Sequence, residues 1–552
     1  MIARNKRSIF GLALLAVLAI GFAAGFWMPR DDEFFELRKN FRIFGAAYEE
    51  LVTGYVEPVD ASMLMRTGLD AMLEELDPYT TYIDEASNAD LSIITRGRYG
   101  GVGLSVGMRG GRISVIAPIE GASGYKQGVR AGDVITRVED QPTAALSLSD
   151  VRNLLRGEPG TTVDITVKRA GATTPLTFTL TREDVQLENV TYSGFVEDDP
   201  STGVGYIKLE RFAREAGPEV KRALQGLKQT GAMNGLILDL RDNPGGLLKA
   251  AVQIAQLFVE EGSVIVSTRG RAAETERVYR SQNAPIAPDL PLVVLVNEFS
   301  ASASEIVAGA VQDLDRGVVM GTTTFGKGLV QVVRSLPYNT SLKMTTAKYY
   351  VPSGRSIQSV DYSADKASSV PDSSRRTFTT ANGRTVYDQH GIEPDRIVGD
   401  DEPSQLEAAL QRRAAFFFFA NHYAAQHDSL AGPLDVTDET MKAFRTWLDQ
   451  QDMDYRTEAE QSVLHLKNSL AEAGYQGTDD EIAALQDAVL EEKRDGFERH
   501  ALALKQHLKR EILARFVTES QKIEAMMAHD VHVQEAVRLI NDAESYQDVI
   551  TP

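Results

Sequence analysis

Hydrophobic and polar positions divide the 552-residue chain into five stretches of different period. Residues 1–30 hold the uncharged run Ser8–Met28, rich in Leu, Ala, Ile and Phe and preceded by Arg4, Lys6 and Arg7. A run of that length spans a bilayer, and the flanking cations hold the N-terminus inside, so it predicts a membrane anchor. The alternative is a cleaved signal segment, with Gly21 and Ala23 near a cut site. Residues 33–95 place Phe35, Leu37, Phe41, Phe44, Leu64, Leu69, Met72 and Leu73 at helical spacing, punctuated by Pro58 and Pro78. This predicts a helical arm. Residues 97–185 alternate in short strands with frequent glycine and one helix, Ser149–Leu155, opened by a capping serine.

Residues 190–400 carry an α/β pattern. Strands are expected in GVGYIKLERF, in NGLILDLRDNPGG (Asn234–Gly246), in the apolar, β-branched Pro291–Val296, and at Gly317–Gly321. Helices are expected at Glu219–Thr230, Leu247–Phe258 and Ile306–Leu314. KMTTAKYYVPSGRSIQ (Lys343–Gln358) alternates like a strand, with Lys348 on its solvated side, and the Ser/Thr/Asp-rich Ser359–Arg384 reads as a surface loop. Residues 401–552 turn to Ala, Glu, Gln, Leu and Lys at helical period. There AAFFFFANHYAAQ centres a helix too short to cross a membrane, and Glu491–Phe516 reads as one long amphipathic helix.

Composition then removes whole classes of function. A net charge of −20 and a pI near 5.0, with no basic patch, exclude a nucleic-acid partner. The absence of cysteine excludes disulfides, thiolate metal sites, a cysteine nucleophile and a lipoprotein anchor. His529 and His532 stand three apart without further ligands at a known metal spacing, so they read as solvated surface histidines and no metal is expected. No Walker-type loop is present and no cofactor is expected.

Candidate chemistry concentrates in Asn297–Gln331. A buried strand, a Ser/Ala-rich turn and a helix place a hydroxyl at a helix N-terminus, where free N–H groups favour developing negative charge. Lys327, between Gly326 and Gly328, would have to be neutral to act as a base, and Phe325, Leu329 and Val330 supply apolar surroundings. Gln331 stands four residues on. If Gly328–Val333 is a strand, even spacing puts its amide on the lysine's face. Ser302 and Glu305 also form S-x-x-E, a helix capping box. Gly245 and Gly246, in a turn before a helix, offer backbone donors or merely a helix start.

The stretch resembles the active-site segment of the carboxyl-terminal processing (tail-specific) serine proteases. SASASE, FGKG and KGLVQ carry the resemblance, with Ser302 and Lys327 at the family's spacing of twenty-five residues. The resemblance implies Ser302 as nucleophile, Lys327 as base and Gln331 as its orienting partner. The L-R-x-N-P-G-G turn is then placed beside the nucleophile, giving an oxyanion site from Gly245, Gly246 and Ala303. Phe299 departs from the family, many of whose members carry a small residue there. GVGLSV (Gly101–Val106) and SVIAPIEGASGYKQGVRAGDVITRVEDQ (Ser114–Gln141) resemble a PDZ domain, in which Gly101, Val102, Gly103 and Leu104 would receive a peptide C-terminus and Leu104 and Val106 would line a pocket. HGIEPDRIV (His390–Val398) matches the family's end-of-core segment.

The implied whole is a multidomain α/β protein: a crotonase-like protease core, an inserted-type PDZ domain, a helical N-terminal arm and a helical C-terminal extension. It implies an extracytoplasmic, periplasmic serine endopeptidase cutting near the C-termini of exported proteins. Its partners would be protein or peptide tails, the membrane through the N-terminal helix, and a second copy in a homodimer. The rival reading is a catalytically silent, membrane-tethered PDZ adaptor. An acyl-CoA enzyme of crotonase type is a further rival, and it would need no Ser–Lys pair.

Overall fold

The computed structural model describes residues 31–552 except 86, 88–92, 94, 197–202, 363–367, 370–374, 400–402, 428, 431, 452–454 and 476. The run Ser8–Met28 lies outside the described residues. Contacts divide the chain into Met1–Tyr82 and Ile83–Pro552. In the first unit, α1 (Asp31–Gly54) and α2 (Ala61–Glu74) are joined by the Tyr48 hydroxyl donating to the Ala61 carbonyl at 2.7 Å. Asp60 caps α2 by accepting from the Met63 N–H. Phe34, Phe35, Leu37 and Phe41 of α1 are exposed.

The second unit opens with the glycine-rich module. β1 (Leu104–Arg109), β2 (Arg112–Pro118), β3 (Val134–Val138), α3 (Leu148–Leu155), β4 (Thr162–Lys168) and β5 (Leu176–Thr181) follow in chain order. The sheet runs β1-β2-β3-β4-β5, all pairs antiparallel, leaving β1 on an edge. The cap of α3 is Ser147, which accepts from the Asp150 N–H, rather than Ser149 within the helix. Of the two serines, Ser147 has the extended backbone that an N-cap requires.

The core that follows is a six-stranded sheet. Its elements are β6 (Val190–Phe195), β7 (Val204–Leu209), α4 (Ala216–Thr230), β8 (Gly235–Asp239), α5 (Leu248–Ala255), β9 (Leu292–Val296), α6 (Ala303–Asp313), β10 (Val318–Gly321), β11 (Leu329–Leu336), β12 (Thr340–Tyr350) and β13 (Arg396–Ile397). The order is β6-β7-β8-β9-β10-β13, antiparallel only between β6 and β7. Every residue of β8 and β9 is buried, as expected of parallel strands covered on both faces. Alternation sends Leu236, Leu238, Leu292, Val294 and Val296 against α4, α5 and α6. Ile237, Val293, Leu295, Val318 and Met320 point the other way.

That second face is covered by the C-terminal segment. α7 (Ala415–Ala424), α8 (Asp479–Arg499), α9 (Ala501–Phe516), α10 (Val531–Asn541) and α11 (Ala543–Ile550) are its main helices. Met527, Val533, Ala536, Leu539, Ile540 and Tyr546 bury themselves on the sheet, each large side chain contributing about 1.5–3 kcal/mol. The Tyr546 hydroxyl bonds both the N–H and the carbonyl of Leu292, at 2.9 and 3.0 Å. The helices through α9 form a separate core around Phe416, Phe419, Phe444 and Trp447. The single helix expected at Glu491–Phe516 is two, because the backbone leaves helical geometry at His500. His532 is buried, with its Nε2 2.8 Å from the Val398 carbonyl, so it is not the solvated histidine expected; the first turn of α10 presses on the core. α7 also grips the glycine-rich module. The Asn421 amide donates to the Gly132 carbonyl at 3.0 Å, while Arg109 and Arg112 lie over the rings of Phe417 and Phe418.

Candidate active site

Ser302 stands in the step from β9 into α6, with φ +56° and ψ −107°. A non-glycine residue holds such a backbone only when its surroundings enforce it, at a cost of about 1–3 kcal/mol. Those surroundings are two loops bonded together. The Ala301 N–H and the Ser304 hydroxyl both donate to the Asn243 carbonyl, at 3.1 and 2.8 Å. The Ser300 hydroxyl donates to the Leu240 carbonyl at 2.8 Å. Asp242 and Asn297 exchange two hydrogen bonds of 2.9 Å.

Gly245 presses directly on the serine. A Cβ there would stand 2.5 Å from the Ala301 oxygen and 3.0 Å from the Ser302 Cβ, and φ is +95°, so only glycine fits. The Gly245 N–H donates to the Asn243 side chain at 2.9 Å, which corrects its expected part as an oxyanion donor: the residue supplies room. The N–H groups of Gly246 and Ala303 have no acceptor among the described residues.

The lysine loop is held to the serine by one carboxylate. Glu305, fully buried, accepts from the Ser302 N–H (2.7 Å), the Lys327 N–H (2.9 Å), the Gly326 N–H (2.7 Å) and the Thr324 hydroxyl (2.6 Å). Burial pushes its pKa up to about 7, against four donors that favour the charged form. Opposite it, the buried Tyr349 hydroxyl bonds the Ser302 carbonyl at 3.0 Å and also the Lys327 carbonyl. Burial, with Glu305 beside it, raises that phenol well above its ordinary range. The Gly328 N–H donates to Gln358 at 2.7 Å. Ser302 and Lys327 are each partly accessible, with Phe299 and Phe325 exposed nearby in the sequence.

Sequence reasoning missed Glu305 as more than a cap and missed Tyr349 altogether. The S-x-x-E spacing was the one visible signal for Glu305; its other three donors lie nineteen to twenty-two residues away. Gln331 departs from the expected geometry. β11 begins at Leu329 and its register with β12 slips between Val330 and Gln331, so even spacing from Lys327 does not hold. The Gln331 Nε2 is buried without a hydrogen-bond partner.

In the glycine-rich module Gly101, Val102, Gly103 and Leu104 are all buried. The side chains of Val102, Leu104 and Val106 belong to the module's own core, which corrects the expectation that Leu104 and Val106 line an open pocket. The carbonyls of Val102 and Gly103 accept from the N–H groups of Gly124 and Ile119. On the edge strand, Arg152 of α3 donates to the Val106 carbonyl at 3.0 Å.

A serine on a strained turn at a helix N-terminus, with free backbone donors beside it, is the arrangement of a serine peptidase. Residues 203–366 match peptidase family S41, residues 114–169 match a PDZ domain, and residues 406–540 match the C-terminal helical domain of probable PDZ-proteases. A carboxy-terminal-processing protease of Bartonella bacilliformis is 36% identical over 330 residues, 59% of this chain and 74% of the relative. A carboxyl-terminal-processing protease of Synechocystis sp. is 37% identical over 308 residues, 55% of this chain and 71% of the relative. A probable CtpA-like serine protease of Staphylococcus aureus is 30% identical over 397 residues, 70% of this chain and 78% of the relative. The chain belongs to the carboxyl-terminal processing serine proteases of peptidase family S41, and it carries a PDZ domain.

Proposed function

We propose that the chain is an endopeptidase that cuts near the C-termini of exported proteins through Ser302 and Lys327. Neutral Lys327 takes the Ser302 proton as the oxygen attacks the scissile carbonyl. The N–H groups of Gly246 and Ala303 receive the oxyanion, the protonated lysine gives its proton to the leaving amine, and water releases the acyl-enzyme with Lys327 again as base. The observation that carries this reading is the shared clamp: Glu305 bonds the backbone N–H groups of both Ser302 and Lys327, so the two residues are held as one unit.

The PDZ domain receives the substrate's C-terminal residues at β1, where the incoming strand displaces Arg152 from the Val106 carbonyl. The same reading gives the core a crotonase-like layout with the PDZ domain inserted, anchors the protein through Ser8–Met28 with its catalytic part in the periplasm, and uses the exposed apolar residues of α1 for self-association.

The test is fragment appearance from an unfolded protein ending in apolar residues. Wild type cuts it, while Ser302→Ala and Lys327→Ala fall by about 10⁴-fold or more in kcat at unchanged folding. Activity persists at alkaline pH. Cleavage by Ser302→Ala, or an optimum near pH 6, overturns the assignment.

A further inference from the structure

The turn that supplies the Gly246 N–H is held from two directions. On its front, Asn243 and Gly245 pack on the serine loop. On its back, Arg241 extends its guanidinium between two carboxylates. Asp239, at the end of β8, takes the Arg241 Nε and Nη2, the latter at 2.6 Å. Asp530 takes the Arg241 Nη1 and Nη2 at 3.1 and 2.7 Å, a bidentate pair across 289 residues of sequence. Lys208 and the Tyr206 hydroxyl complete the cluster on Asp239, at 3.3 and 2.6 Å. Two carboxylates therefore balance two cations, Lys208 and Arg241, in a cluster whose guanidinium is only 15% exposed. Asp239 lies two residues before Arg241, at the end of β8, and holds the guanidinium from the strand side. Asp530 comes from another layer of the molecule and holds the same group from outside.

Asp530 also caps α10, accepting from the N–H groups of His532 and Val533 at 3.0 and 3.2 Å. One carboxylate thus ties the start of a C-terminal helix to an arginine five residues before Gly246. We infer that Asp530 is a positioning residue for the oxyanion turn, acting through Arg241, and that the C-terminal helical segment is in this way a working part of the catalytic centre. The inference rests on the Ser302–Lys327 reading and on Gly246 as an oxyanion donor. It differs from a structural role in what it predicts: fixing the donor matters when the carbonyl oxygen becomes an oxyanion, not when substrate first binds.

Asp530→Asn separates the two jobs of the carboxylate. Asparagine caps a helix as well as aspartate does but carries no charge for Arg241. In the full-length protein, kcat falls by about tenfold to a hundredfold with KM within about twofold, the size of loss that a small displacement of a catalytic group causes. Affinity for a peptide boronic acid, which forms a tetrahedral adduct with the serine, falls in parallel. Glu535→Gln, which breaks the 2.6 Å pair between Arg396 and α10 about one turn further along the same helix, leaves kcat within about twofold.

Asp530→Asn with unchanged kcat and boronate affinity, in protein that melts above the assay temperature, overturns the inference. Should that variant not fold, Asp530→Glu keeps the charge but moves it by one methylene, and unchanged kcat there overturns it equally. Ser302→Ala is run alongside. If it still cuts, the underlying reading is at fault; if it is silent while Asp530→Asn is fully active, the inference alone fails.

Discussion

The two faces of the six-stranded sheet are both covered by helices, but from very different distances along the chain. α4, α5 and α6 are the crossovers between the strands they cover. α10 and α11 arrive from beyond a separate helical bundle, more than two hundred residues after the strands they bury. The near face carries the candidate site, because Ser302 caps α6 and the helix's third residue, Glu305, reaches across to the lysine loop. The far face has the look of a lid on the core. It meets the loop beside the site where Asp530 bonds Arg241, while Tyr546 meets Leu292 at the opposite end of β9. Proximity to the loop end of a strand, rather than the face on which a helix lies, decides whether it bears on catalysis.

The comparison breaks most sharply at Gly245. Gly245→Ala drives a methyl into the Ala301 carbonyl and demands a positive φ from alanine, so stability falls by about 3 kcal/mol or more and turnover is lost. Thermal melting together with peptide cleavage reads both; an active, stable variant would mean that the two loops are not locked.

Glu305 sharpens the near face. Its pKa is raised from 4.5 to about 7, so the folded protein holds a proton that the unfolded chain has released. The stability this confers is fully present below about pH 4.5 and is lost as pH rises through about 7, up to about 3 kcal/mol across the window. Glu305→Gln, permanently neutral, therefore gains in Tm relative to wild type between pH 5 and pH 8; a constant difference would deny the shift.

On the far face the expected effect is smallest. Tyr546→Phe removes the hydroxyl that bonds the Leu292 N–H and carbonyl, costing about 1–2 kcal/mol by denaturant unfolding. Its kcat, measured below the melting transition, stays at the wild-type value. A fall in kcat would show that the whole face, and not only the Asp530 contact, is coupled to the site.

What could be read in the chain follows the same division. The strands β8, β9 and β10 were legible because a doubly covered parallel strand must be apolar throughout, and α6 because small and apolar residues follow a Ser-rich turn. Ser302 and Lys327 stood out as candidates because the motif that carries them is long. Glu305 looked like a helix cap, which it is, since nothing local announces the three further donors that converge on it. Tyr349 looked like an ordinary strand tyrosine. Boundaries moved where capping geometry decided them, as at Ser147, or where a helix broke without glycine or proline, as at His500. The C-terminal segment could be read as helical and no further. His532 and Asp530 have polar side chains whose partners, Val398 and Arg241, lie far away in sequence.

The 289-residue separation of Arg241 and Asp530 has a consequence in time. Closing so large a loop adds little to the equilibrium cost, since each doubling of length adds only about 0.6 kcal/mol. Its effect is on order: contacts of long range form after local ones, and folding slows as they multiply. The crossovers of the near face assemble first and bring serine and lysine together. The back of the turn that carries Gly246 is secured only when the last layer docks. In refolding from denaturant, secondary structure and the burial of tryptophan should therefore return before cleavage does, and the interval between them is the time the molecule takes to close this loop.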